Sequence, residues 1–258
     1  MSSARTARLA RALVAPALIF AATLSLSAQP VGKFPPDSLV HTQVIPRSTP
    51  VIQVIGTMRN FTGFLGVRCS YCHEGNEGQD LAQYDFAADT KRPKRVALQM
   101  MRMVEEINRR LDTLPERTAQ GLRVTCGTCH RGVARPMPLS ALVADVAQTS
   151  GADSATTTYR NLRQRYYGSD AYDFSEPSLN VAAFRLARAG KFDEALRLLK
   201  VNAEQFPTSS AMEVFRGNIQ LMRGDTAAAT AAFRESIKRD PGNQEAAGRL
   251  KAIGRTPR

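Results

Sequence analysis

The sequence predicts a mainly α-helical chain in two parts: helix–turn–Cys-x-x-Cys-His units, followed by a stack of helical hairpins. Three observations predict it. Cys69-Ser-Tyr-Cys-His73 and Cys126-Gly-Thr-Cys-His130 are each preceded by a stretch with apolar residues at helical spacing. The C-terminal third repeats itself with a constant offset, in the pairs Gly190 and Gly224, Ala195 and Ala229, Leu199 and Phe233, and Pro207 and Pro241. Glycine and proline fall at the ends of these stretches, where helices stop and start.

Positions 1 to 28 read as a secretory signal. Arg5, Arg8 and Arg11 form a positive start, Leu13 to Leu26 a short apolar core, and Ser25-Leu-Ser-Ala28 a small-residue cleavage site. The core is short for a membrane span and Pro16 interrupts it, which favours cleavage over an anchor. Export would put the mature chain in the periplasm or on the outer face of the cytoplasmic membrane. The whole chain carries +12, and loss of three arginines and no acid leaves +9.

Residues 29 to 48 are rich in proline and read as extended. Ser48-Thr-Pro50 predicts a helix start, with Val51, Val54, Ile55, Met58, Phe61 and Leu65 on one face and Gly66 as the stop. An acidic loop, 74 to 90, carries five acids and no base. Asp89 or Thr90 then caps a second helix whose face holds Val96, Met100, Met103, Ile107 and Leu111. From Lys91 to Arg135 eleven bases face four acids. Such a basic face is solvated, pairs with the acidic groups of a cofactor, or steers an acidic partner. Nucleic acid is excluded as a partner, since no binding fold for it is legible.

The two Cys-x-x-Cys-His stretches carry the chemistry. Two cysteines three apart can each form a thioether to one haem vinyl group, and the next histidine then supplies an axial imidazole. Two of the chain's three histidines, His73 and His130, directly follow a Cys-x-x-Cys, and all four cysteines lie in the motifs. A four-cysteine zinc site or two redox disulfides would use Cys69, Cys72, Cys126 and Cys129 but require no histidine after either pair. The expectation is two covalently bound c-type haems.

A six-coordinate haem iron needs a second axial ligand, and methionine opposite histidine is a common pair. Met58 lies 11 positions before Cys69, while Met100 and Met103 lie 26 and 23 before Cys126. Met100 and Met103 share a helical face and Met101 points away, so spacing leaves the choice between the two open. A methionine on an apolar face is also ordinary packing material. His41 is a rival ligand in the proline-rich segment.

Three segments carry a resemblance: Met58-Arg-Asn-Phe-Thr-Gly-Phe-Leu-Gly-Val-Arg-Cys-Ser-Tyr-Cys-His73, Val96-Ala-Leu-Gln-Met-Met-Arg-Met-Val-Glu-Glu-Ile-Asn108, and Val124-Thr-Cys-Gly-Thr-Cys-His-Arg-Gly132. Residues 52 to 132 resemble the cytochrome c subunit of bacterial photosynthetic reaction centres. The resemblance implies helix–turn–Cys-x-x-Cys-His units in which the helix presents a methionine to the iron. It aligns Met58 with the first haem and Met100 with the second, leaving Met103 as packing or as the alternative axial ligand. Photosynthetic members carry four haems, whereas this chain has motifs for two. The implied partners are redox proteins, a membrane reaction centre or a respiratory complex.

The expected domains are a dihaem cytochrome region from 29 to 138, a linker with a possible helix at 160 to 167 from 139 to 175, and repeats from 176 to 258. The period is that of tetratricopeptide repeats, here two units plus a capping helix from 244 to 253. The repeats suggest docking to protein partners, or a structural cap on the cytochrome. The functional expectation is an exported electron carrier rather than an enzyme. The rivals are a peroxidase-like dihaem catalyst with one open iron, and an assembly protein acting through the repeats alone.

Overall fold

The computed structural model describes residues 32–115 and 121–255. The stretch at 1 to 28 expected to be a secretory signal lies outside the described residues. Ten helices run through them: α1 Val51–Leu65, α2 Cys69–Cys72, α3 Arg92–Leu111, α4 Cys126–His130, α5 Leu139–Tyr166, α6 Glu176–Arg188, α7 Phe192–Gln205, α8 Ser210–Arg223, α9 Thr226–Arg239 and α10 Gln244–Arg255. None is long and apolar enough to cross a membrane.

α1 begins after Pro50 and ends at Gly66, which takes a left-handed conformation (φ 63°). Val67 N–H then reaches back to the Thr62 carbonyl at 3.1 Å, closing the helix end. α3 starts after Lys91 with no side-chain cap. Asp89, an expected cap, instead pairs with Lys94 at 2.8 Å, and Thr90 donates to the Glu74 carboxylate.

The segment expected to be a linker is helical from Leu139 to Tyr166, broken at Gly151 (φ 83°, ψ 169°). Leu139, Val143, Ala144, Ala147, Ala155 and Tyr159 are buried and join a core with Leu179, Leu186, Leu198 and Ile219. α5 is therefore part of the packed C-terminal body.

That body keeps the sequence period in three dimensions. α6, α8 and α10 start at Glu176, Ser210 and Gln244, and α7 and α9 start at Phe192 and Thr226, so both series of starts advance by the same offset as the paired glycines. One polar bond repeats as well. Buried Asn202 donates to the Glu176 carbonyl at 2.9 Å. Ser236, one period further on, donates to the Ser210 carbonyl at 3.0 Å. Each bond fastens the second helix of a hairpin to the N-terminal end of the first, where a buried donor without a partner would be costly.

The N-terminal half is different. From 32 to 132 the one buried described residue is polar, Asn108, and every described buried apolar side chain lies at Val133 or beyond. Two amphipathic helices and two short turns are thus held without an apolar core of their own.

Candidate functional site

The two motifs sit on short helical turns, and their packing is crossed. α1, which precedes the first motif, packs against α4 of the second; α3, which precedes the second, packs against α2 of the first. The α1–α4 contact is fixed by backbone. Gly132 N–H donates to the Phe64 carbonyl at 2.8 Å. A Cβ at Gly66 would lie 2.1 Å from the Gly132 carbonyl oxygen, and one at Gly127 would lie 2.6 Å from the Phe64 ring. Glycine is required where the two units touch.

All four cysteines are free, so neither pair is a disulfide. Among the described residues no group of three or more His, Cys, Asp and Glu side chains is gathered as a metal ligand set. The four cysteines therefore do not converge as a zinc site. Burial pushes the Cys72 and Cys126 thiols up, and at Cys72 the nearby Lys91 and Lys94 charges oppose that rise.

The two histidines are prepared differently. His130 Nδ1 lies 2.9 Å from the Val133 carbonyl, an acceptor only, so Nδ1 carries the proton and Nε2 keeps its lone pair. His73 Nδ1 is buried and makes no hydrogen bond. The Phe86 carbonyl favours the charged imidazole, but its oxygen accepts from Lys94 Nζ at 2.8 Å. Burial first, and then Lys94, push His73 down to about 4. Its ring is neutral at neutral pH, the form that ligates a metal. The Phe86 ring packs edge-on against it at 5.0 Å.

The methionines lie where the apolar faces lack full cover. Met58 is half-buried on α1. On α3, Val96, Met100 and Met103 are 39%, 40% and 48% exposed, whereas Val104 and Ile107, beside them on the same face, are less exposed, and Asn108, turned away from it, is buried. So the Val96–Met100–Met103 part of the face is only partly covered by the described protein atoms. His41 is exposed, close to Asp89.

Two supports escaped the sequence reading. Asn108 Nδ2 donates to the Val124 carbonyl and its Oδ1 accepts from Val124 N–H, both at 2.8 Å, tying α3 to the approach to the second motif. Lys94 Nζ, with a side chain 13% exposed, gathers the Phe86, Ala87 and Ala88 carbonyls. The run of bases from 91 to 135 contained Lys94, but nothing in its spacing marked it as buried.

A family model described as the photosynthetic reaction centre cytochrome C subunit matches residues 53–183, half of the chain. The chain belongs to that family. Membership makes it a c-type cytochrome, a family that binds haem covalently. The match spans both motifs and continues through α5 into α6. The photosynthetic reaction center cytochrome c subunit of Rubrivivax gelatinosus (strain NBRC 100245 / IL144) is 33% identical over 92 residues, which cover 32% of this chain and 23% of that protein. The chain thus spans less than a quarter of that relative's length.

The residues fit the family's cofactor. A half without an apolar core, a methionine face only partly covered by protein and four free cysteines are the features that covalently held haem would complete.

Proposed function

We propose that the chain is an exported dihaem cytochrome that passes single electrons between protein partners. The observation that carries this reading is the coreless half from 32 to 132, built around two Cys-x-x-Cys-His turns. Cys69 and Cys72 tether the first haem, and Cys126 and Cys129 the second. His73 and His130 would each supply an imidazole nitrogen to hold a haem iron, and Met58 and Met100 each a thioether sulfur. Bound haem supplies a one-electron ferric/ferrous couple. A histidine and a methionine held to each iron would limit rearrangement on electron transfer and leave no position for a substrate.

Met103 packs beside the second haem rather than ligating it. Replacing Met100 by alanine is expected to open that iron and lower its potential, while Met103→Ala leaves the optical spectrum six-coordinate. Carbon monoxide added to the reduced protein is the readout. It should bind slowly or substoichiometrically to wild type and Met103→Ala, and rapidly at one haem in Met100→Ala. Rapid stoichiometric binding to wild type would favour a peroxidase-like enzyme. A thioether lost in Met103→Ala and kept in Met100→Ala would reverse the two roles.

The C-terminal body reads as tetratricopeptide repeats that dock a protein partner. Its helix starts recur with the sequence period, and Val181, Phe184 and Met222 are exposed on α6 and α8, with the Phe215 ring 6.4 Å from Phe184. The relative's name points to a membrane reaction centre as redox partner; a respiratory complex would use the same chemistry.

A further inference from the structure

The two motifs differ in the charges around them. Lys91 Nζ donates to the Ser70 carbonyl, inside the first Cys-x-x-Cys-His, at 2.7 Å. Lys94 Nζ donates to the carbonyls of Phe86, Ala87 and Ala88 at 2.8, 3.1 and 2.8 Å, and the Phe86 ring rests against His73. Lysine ammonium groups ordinarily remain in water; both of these are drawn in against the first motif. Three carboxylates share the region. Glu74 accepts from Thr90, Asp85 from the amides of Ala87 and Ala88, and of the three only Asp89 is paired with one of these ammoniums.

The second motif is held by neutral groups. Thr125 and Thr128 bond each other, Asn108 bonds Val124, and His130 bonds the Val133 carbonyl. Among the described residues no lysine or arginine side chain donates to the backbone from Thr125 to His130.

We propose that Lys91 and Lys94 make the first haem site the higher-potential of the two, so that an electron delivered to the chain comes to rest at Cys69–His73. The proposal rests on the two-haem reading. Reduction removes one positive charge from the iron, so nearby fixed positive charge in a poorly solvated site favours the ferrous form. The electron gained at the first site is the one lost at the second, and no proton moves.

The test uses the full-length holoprotein. Haem per chain is measured first. Two haems uphold the reading on which the ordering rests, and one haem overturns both. An optical redox titration of wild type should then show two one-electron waves. Lys91→Gln with Lys94→Gln should lower the upper wave by roughly tenfold in its equilibrium constant, about 59 mV for one electron, and leave the lower wave in place. Lys94→Arg, which keeps the charge, should leave both waves unmoved. Should the double variant fail to accumulate, Lys91→Gln alone should shift the upper wave in the same direction. Movement of the lower wave, or of neither, overturns the proposal.

Discussion

Alanine in place of Cys69, Cys72, Cys126 and Cys129 together is expected to unfold the N-terminal half and leave α5 to α10 intact. No apolar side chain described before Val133 is buried, while α5 to α8 share a continuous core. α1 and α3 are 15 and 20 residues long. Helices in proteins draw most of their stability from a packed face, and the face of α3 that carries Met100 and Met103 is only partly covered by protein. Covalently held haem would provide the missing apolar surface, as a structural metal does in small domains whose folding depends on it. Far-ultraviolet circular dichroism should lose the α1 and α3 contribution. Limited proteolysis should leave a resistant fragment starting near Val133. Undiminished helix content with wild-type resistance throughout would show that the half folds by itself.

Gly66→Ala should be the most damaging single change outside the motifs. Gly66 sits at φ 63°, where a Cβ costs roughly 1–2 kcal/mol. That Cβ would also lie 2.1 Å from the Gly132 carbonyl oxygen, so backbone must move. Movement strains the Gly132–Phe64 bond at 2.8 Å, and loss of this part-buried backbone bond costs about 0.5–1.5 kcal/mol more. The sum, roughly 1.5–3.5 kcal/mol, is a large fraction of a small domain's stability. Gly56 supplies the control. It lies within α1, and a Cβ added there would meet nothing inside 4 Å. Two positions before Met58, it lies about 160° away from that side chain around the helix. Gly56→Ala should stabilise by up to about 1 kcal/mol through helix propensity. The check is thermal unfolding of both holoproteins, followed at the haem band. Equal midpoints for the two variants would mean that the α1–α4 contact does not hold the units together.

The features that could be read in the sequence are those with local causes. Gly66 ends α1 because only glycine is at ease in that left-handed cap. The repeat period predicts the helix starts because each hairpin repeats the same contacts, down to the Asn202 and Ser236 bonds. The part of α5 before the possible helix at 160 to 167 escaped for a physical reason. Its buried face is built largely from alanines, Ala144, Ala147 and Ala155, and Thr156 is buried among them, so its apolar periodicity is faint. The packing of α1 on α4 escaped because a backbone bond and two close-fitting glycines decide it, and that of α2 on α3 because it is tied by one lysine, Lys91, among many bases. Asp89 shows how a correct residue can be given the wrong role: its carboxylate suits a helix cap, but a buried ammonium at Lys94 takes it first. Cys-x-x-Cys-His is legible as a pattern. The surroundings that distinguish the two motifs come from Phe86, Lys91 and Lys94, and become visible only once α3 folds back on α2.

On the proposed reading two haems, each bound through its own cysteine pair, form the core that the N-terminal half lacks. Mass spectrometry of the denatured, acid-extracted protein and its proteolytic peptides checks this. Two haems should be retained per chain, one on the peptide with Cys69 and Cys72 and one on the peptide with Cys126 and Cys129. Haem that leaves with the acid solvent, or a single haem on one of the two peptides, would contradict it.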